Sequence, residues 1–232
     1  MPQGRHQVIT AMDRSPHRSL CRSLGAAIAL ASVVVGLLAA QATVAQAGEP
    51  ISEQGEVTSG ATSALNALAK WSDDGDTSAY LAYLEARDHV AATVAETLGL
   101  NASEMVEAWS SSDLDGQTAV LAALGQLGVP YRRYASAPGE AFDCSGLTRF
   151  AWGEAGVELE RSSRNQFRSG VEIDRDAARV GDLVWYPGHV MLYLGVDNAI
   201  VHSPTRGRTV EYQILSDRRA GWVRFADPTT AP

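Results

Sequence analysis

Cys144 stands in the run Phe142-Asp143-Cys144-Ser145-Gly146-Leu147, directly ahead of apolar residues at helical spacing (Leu147, Phe150, Ala151, Ala155) that stop at Gly156. A thiol at the tip of a helix meets free N–H groups and the positive end of the dipole, which favour thiolate over thiol. Asp143 is placed to cap that helix, and small Ser145 and Gly146 would leave room for a substrate backbone beside the sulfur. Of five histidines, His6 and His17 fall near the start and His89 in a helical stretch. His189 opens the run Val190-Met191-Leu192-Tyr193-Leu194 after Pro187-Gly188, and His202 closes Ala199-Ile200-Val201. Strands can hold an imidazole rigidly against a thiol on a packed helix, and a second imidazole can orient the first, giving nucleophile, base and orienter. One Cys and two His could also bind zinc, but no fourth ligand stands at a metal spacing, so no metal or other cofactor is expected. A buried structural cysteine is the remaining alternative.

The elements around these residues change character along the chain. Arg5, Arg14, Arg18 and Arg22 precede the uncharged run Leu24 to Ala40, and Ala45-Gln46-Ala47 comes after it. This is the layout of an export signal cleaved after Ala47, with a membrane anchor as the alternative. The other cysteine, Cys21, lies inside that leader, so the exported chain keeps one thiol. Residues 48–60 are polar and Gly/Ser-bearing, as in a linker. Residues 61–112 are expected to form a small helical segment, broken at Asp73-Asp74-Gly75 and Gly99, with His89 at its surface or packing. Residues 113–232 carry the candidate chemistry. There one helix precedes short strands at Asp182 to Tyr186, His189 to Leu194, Ala199 to His202, Thr209 to Leu215 and Trp222 to Phe225. That order predicts an α+β fold with a helix on a mostly antiparallel sheet.

The formal net charge is −8, and the leader is basic, so the acidic excess belongs to the rest of the chain. Only one Lys, Lys70, is present. Such a body lacks the clustered cations that nucleic acid requires.

Four ordered strings, Asp-Cys-Ser-Gly-Leu at 143–147, Gly-Asp-Leu-Val-x-Tyr at 181–186, Gly-His-Val-x-x-Tyr-Leu-Gly at 188–195 and Val-His-Ser at 201–203, resemble the NlpC-type cell-wall peptidases. These are bacterial members of the papain-like superfamily. The resemblance covers about Thr118 to Phe225. It implies a papain-like catalytic domain with Cys144 as nucleophile, His189 as general base and His202 as the third, polar member. It also implies that Tyr131, after Val129-Pro130, helps bind substrate or the oxyanion together with the Cys144 N–H. Glu160-Arg161-Ser162-Ser163-Arg164-Asn165-Gln166 resembles the Pro-Arg-Thr-Ser-x-x-Gln segment bordering the cleft. Arg161 and Ser162 therefore join Asp143 and Ser145 on the substrate-binding side. Two departures stand out. Arg132-Arg133-Tyr134-Ala135 replaces an aromatic and Gly-Gly, and Glu160 replaces Pro. Bulkier residues there could narrow the cleft, and the two arginines could recognise stem-peptide carboxylates or simply be solvated.

The function implied is that of a secreted, wall-associated peptidoglycan hydrolase with no stable membrane insertion. It would cleave stem peptides between γ-D-glutamyl and meso-diaminopimelate, or L-lysine, through an acyl-enzyme. An N-acetylmuramoyl-L-alanine amidase or other cysteine amidohydrolase on the same scaffold is a rival. So is a wall-binding module that has lost activity. The helical segment could dock to the wall or inhibit the enzyme until removed.

Overall fold

The computed structural model describes residues 52–229; the expected leader lies outside the described residues. Helices α1 (Glu53–Asp74), α2 (Thr77–Leu98), α3 (Ala102–Ser111) and α4 (Leu114–Leu124) come first. A two-stranded ribbon, β1 (Ser136–Ala137) and β2 (Ala141–Phe142), leads into α5 (Cys144–Glu154) and α6 (Ser163–Ser169). The chain continues through β3 (Val171–Ile173), β4 (Leu183–Tyr186), β5 (His189–Tyr193), β6 (Ala199–His202), β7 (Glu211–Ile214), α7 (Asp217–Ala220) and β8 (Arg224–Asp227).

The polar stretch 48–60, expected as a linker, is helical from Glu53. Ser52 caps α1 by accepting the Gly55 N–H at 3.1 Å. Val57, Ala61, Ala64 and Leu68 recur at spacings of three and four and are buried, while the Glu, Gln, Ser and Thr between them mostly face outward. Composition pointed to a linker; the period of the few apolar residues decides for a helix. Gly75 in the left-handed region ends α1, and Asp76 caps α2 at once, making a tight helical hairpin. His89 lies on its exposed side, 3.0 Å from Glu56.

The helical segment is not set apart from the half of the chain that carries the sheet. Residues of α1 and α2, Met105 and Trp109 of α3, and Ala119 to Leu124 of α4 share one buried cluster with Leu147, Trp152, Val190, Leu192 and Val201. Trp109 Nε1 donates to the Leu194 carbonyl at 2.9 Å, fastening α3 to the end of β5. Tyr83 Oη and Arg87 Nη1 both donate to Gln117 Oε1, at 2.6 and 3.1 Å, tying α2 to α4. No division falls near residue 112, and the described residues belong to one compact unit.

The main sheet has the order β3-β8-β4-β5-β6-β7, and every pair is antiparallel. Alternation along β5 turns Val190 and Leu192 toward α5, while Met191 and Tyr193 join Val184, Ile200 and Phe225 in a second cluster on the other face. The last strand begins at Arg224, two residues later than expected. Trp222 is outside it and 73% exposed.

Candidate active site

Cys144 is the first residue of α5 and is buried. Asp143 caps the helix: its Oδ1 accepts the Gly146 N–H at 2.7 Å. The same carboxylate receives the Tyr134 N–H at 2.8 Å and both terminal nitrogens of Arg161, at 3.0 and 2.8 Å. Arg161 also donates to Ser145 Oγ at 3.0 Å and to the Ala135 carbonyl at 3.3 Å. A bidentate guanidinium on a buried carboxylate fixes the cap, and through it the helix end that carries the sulfur. Asp143 and Arg161 thus hold in place the helix that carries Cys144.

The small residues after the cysteine serve a different purpose from the one expected. A Cβ on Gly146 would sit 2.0 Å from the Ala135 carbonyl oxygen. The space is taken by the protein's own 132–136 loop, and Ser145 Oγ is held by Arg161. Ser162 is exposed and caps α6, accepting the Asn165 N–H at 3.3 Å. Four residues on, Gln166 Nε2 donates to the carbonyls of Ser145 and Glu160, each at 2.8 Å, and its Oε1 accepts from Thr148 Oγ1 at 2.7 Å. The segment 160–166 therefore braces the first turn of α5. The brace was visible in the sequence only as the last letter of a motif.

The two imidazoles are brought together. His189 Nε2 lies 2.9 Å from His202 Nδ1, with the rings edge to face. The β5–β6 register, Leu192 with Val201 and Tyr193 with Ile200, runs His202 back toward the start of β5. Behind His202 stands its cross-strand partner Glu211, with Oε1 3.3 Å from His202 Nε2. Arg208 in turn pairs with Glu211. Gln213 approaches the same ring nitrogen at 3.1 Å.

A carboxylate can only accept, so His202 carries its proton on Nε2 and offers the Nδ1 lone pair to His189. His189 then donates from Nε2 and keeps Nδ1 as a lone pair, the form a base requires. This order requires Gln213, whose Nε2 stands at 3.1 Å from the ring, to turn its amide so that the oxygen faces His202. Glu211 and Gln213 were not among the residues singled out from sequence. Nothing but the β6–β7 register places them.

Cys144 shares one buried cluster with Val190, the residue after His189, so α5 brings the thiol to the start of β5, and the Val190 and Ser145 N–H groups favour its thiolate. Burial nevertheless pushes the Cys144 thiol up, and the nearby Asp143 charge adds to this, outweighing those two donors. Burial also lowers His189 to about 3, helped by His202 and Arg219, and lowers His202 to about 4. The helix tip favours a thiolate, while burial opposes charge on both the thiol and the imidazole.

Tyr131 is half-buried, and burial pushes its hydroxyl up, so it keeps its proton and can donate. The Cys144 N–H, at the first helical position, has no partner along the helix. In the loop where glycines were expected, Tyr134 adopts φ 66°, a left-handed conformation that glycine takes freely. Its ring is exposed and lies under the Arg133 guanidinium at 4.8 Å. Arg132 is exposed as well.

The model of the NlpC/P60 family matches residues 128–223. A γ-D-glutamyl-L-lysine dipeptidyl-peptidase of Bacillus cereus is 37% identical over 93 residues, covering 37% of this chain and 27% of that protein. The chain spans about a quarter of the length of the first curated relatives it matches. A solved NlpC/P60 family protein from Bacillus cereus is 29% identical over 48% of this chain and 39% of its own, with a TM-score of 0.44. A longer match is to a probable endopeptidase of Corynebacterium glutamicum, 30% identical over 192 residues, which are 76% of this chain and 82% of that one. Because that match runs across most of both chains, this protein belongs to the NlpC/P60 family.

Proposed function

We propose that this chain is a peptidoglycan hydrolase that cleaves stem peptides at the γ-D-glutamyl–diaminopimelate bond through a Cys144 acyl-enzyme. One observation carries the reading. The thiol at the first turn of α5 shares a buried cluster with Val190, next to His189, and His189 has one ring nitrogen engaged by His202 at 2.9 Å. A structural cysteine has no use for a base held in one tautomer. Relatives named as a γ-D-glutamyl-L-lysine dipeptidyl-peptidase and as a peptidoglycan endopeptidase support the substrate class.

In the proposed cycle the substrate carbonyl sits between the Cys144 N–H and Tyr131. The sulfur attacks as its proton passes to His189 Nδ1, so the ion pair forms during reaction rather than beforehand. The imidazolium, supported by His202 and Glu211, protonates the leaving amine. Water then enters, gives its proton to the same nitrogen and releases the acyl group. Arg161 and Asp143 hold the geometry, and Ser145 completes their network.

The proposal includes export, since the basic and apolar start of the chain has the layout of a cleavable signal. Purified muropeptides digested with the protein and examined by mass spectrometry test the bond. A new amine on diaminopimelate is expected. A new amine on L-alanine would replace this reading with the amidase.

A further inference from the structure

The acyl half of the substrate must lie against Cys144, and the leaving amine must lie against the imidazole that protonates it. The departing residue therefore lies on the His189 side of the sulfur, within reach of the ring nitrogen that faces it. On that side, Tyr186, Pro187, Ser216, Arg218, Arg219 and Trp222 enclose a pocket of about 640 Å³. It lies on the sheet face turned away from α5, because Tyr186 packs with Val184, Met191 and Phe225 and not with the helix. The Tyr186 ring is 5.3 Å from that of His189, and the Arg219 guanidinium lies over the Tyr186 ring at 4.5 Å. The pocket thus begins one ring away from the base.

Its charge is unbalanced. Arg87, Arg161, Arg179, Arg208 and Arg224 each have a carboxylate partner. Among the described residues Arg218 and Arg219 have none, like several other arginines, and these two stand together at this pocket. Trp222 stands beside them with its ring in solvent, 73% exposed. A large ring next to two unpaired guanidinium groups suits an amphipathic ligand with an aliphatic stem and an anionic end.

We propose that this pocket binds a free carboxylate on the residue that bears the leaving amine, selecting a diamino acid with a terminal carboxylate over one without. In a stem peptide this separates diaminopimelate from lysine, whose side chain ends in an amine alone. The inference rests on the proposed bond. It explains why two arginines and an exposed tryptophan gather on the leaving-group side. Arg219 also opposes protonation of His189. A carboxylate seated on it would relieve that opposition, so the right leaving group would help its own protonation.

The test uses two tetrapeptide stems identical except for diaminopimelate or lysine at the third position. Their affinities are measured by calorimetry on the full chain carrying Cys144→Ala, with and without Arg218→Ala and Arg219→Ala. Cleavage of both peptides by the protein with Cys144 intact is measured in parallel. The diaminopimelate peptide should bind about tenfold more tightly, the scale of a charge-assisted contact, and the double substitution should bring the ratio near one. Equal affinities, no measurable binding of either peptide, or a ratio that survives the double substitution would overturn the pocket's role. Selective binding without any cleavage by the intact protein would instead overturn the proposed reaction and leave the pocket standing.

Discussion

His189 Nε2 lies 2.9 Å from His202 Nδ1, and this contact decides which nitrogen of His189 is left for the sulfur. The proton order continues through His202 to Glu211 at 3.3 Å. A buried chain of this kind has two directions, and only one leaves His189 Nδ1 unprotonated.

Glu211→Ala removes the acceptor that sets the direction. The expected result is a loss of kcat of about tenfold or more with little change in KM, because proton transfer and not binding is affected. Nitrogen NMR of the His189 ring should show protonation shifting from Nε2 toward Nδ1. Unchanged tautomer and unchanged kcat would remove Glu211 from the account.

Arg161→Ala leaves the buried Asp143 carboxylate with the Tyr134 and Gly146 N–H groups and the Ser145 hydroxyl at 3.4 Å. Since the arginine is itself partly exposed, the cost should be about 1–3 kcal/mol, read as a lower Tm. Activity should fall further than stability explains, because the helix end under Cys144 loses its clamp. Wild-type activity in a stably folded variant would show that the network is structural alone.

Tyr134→Gly should be tolerated or stabilising, by about 0.5–1 kcal/mol. The residue holds φ 66°, and relief of the left-handed strain exceeds the entropy that glycine adds. A clear loss of stability would mean that the Arg133–Tyr134 stack matters more than the backbone strain.

The buried histidines give the pH response a definite sign. Their folded values, about 3 and 4, lie below the unfolded value near 6.5, so the unfolded chain binds more protons between those limits. Their contribution to stability is present above that window and lost as pH falls from 6.5 toward 3. Asp182, raised to about 7 by burial, acts oppositely: its contribution is present below about 4 and lost as pH rises toward 7. Tm measured from pH 4 to 8 should fall less steeply on acidification for His202→Asn than for the parent. Asp182→Asn should gain stability at pH 8 relative to the parent. Parallel curves would contradict the burial argument. For the same reason, the acid limb of kcat/KM should lie below the ordinary histidine range.

Much of the site was legible because its parts are local. The cap-cysteine string, the Pro187-Gly188 turn and the alternation of Val190-Met191-Leu192 each sit within a few residues, and the structure has a helix or strand at each. The fold was also readable as helix before antiparallel sheet. What escaped the sequence depends on register and distance. Glu211 reaches His202 only because β7 pairs with β6 in one alignment, and Arg161 reaches Asp143 across 18 residues of loop and helix. The start of α1 escaped because its few apolar residues are outnumbered by polar ones on the solvent side. The room expected beside Gly146 was misassigned because nothing local shows that the Ala135 carbonyl fills it.

Everything in the proposed mechanism passes through a covalent bond to one sulfur. Acid quenching during turnover of a stem peptide, followed by intact-mass and peptide-mapping spectrometry, tests that bond directly. The account predicts an adduct with the mass of the acyl half of the substrate on the peptide containing Cys144, absent together with cleavage in Cys144→Ala. Continued cleavage by that variant would contradict it.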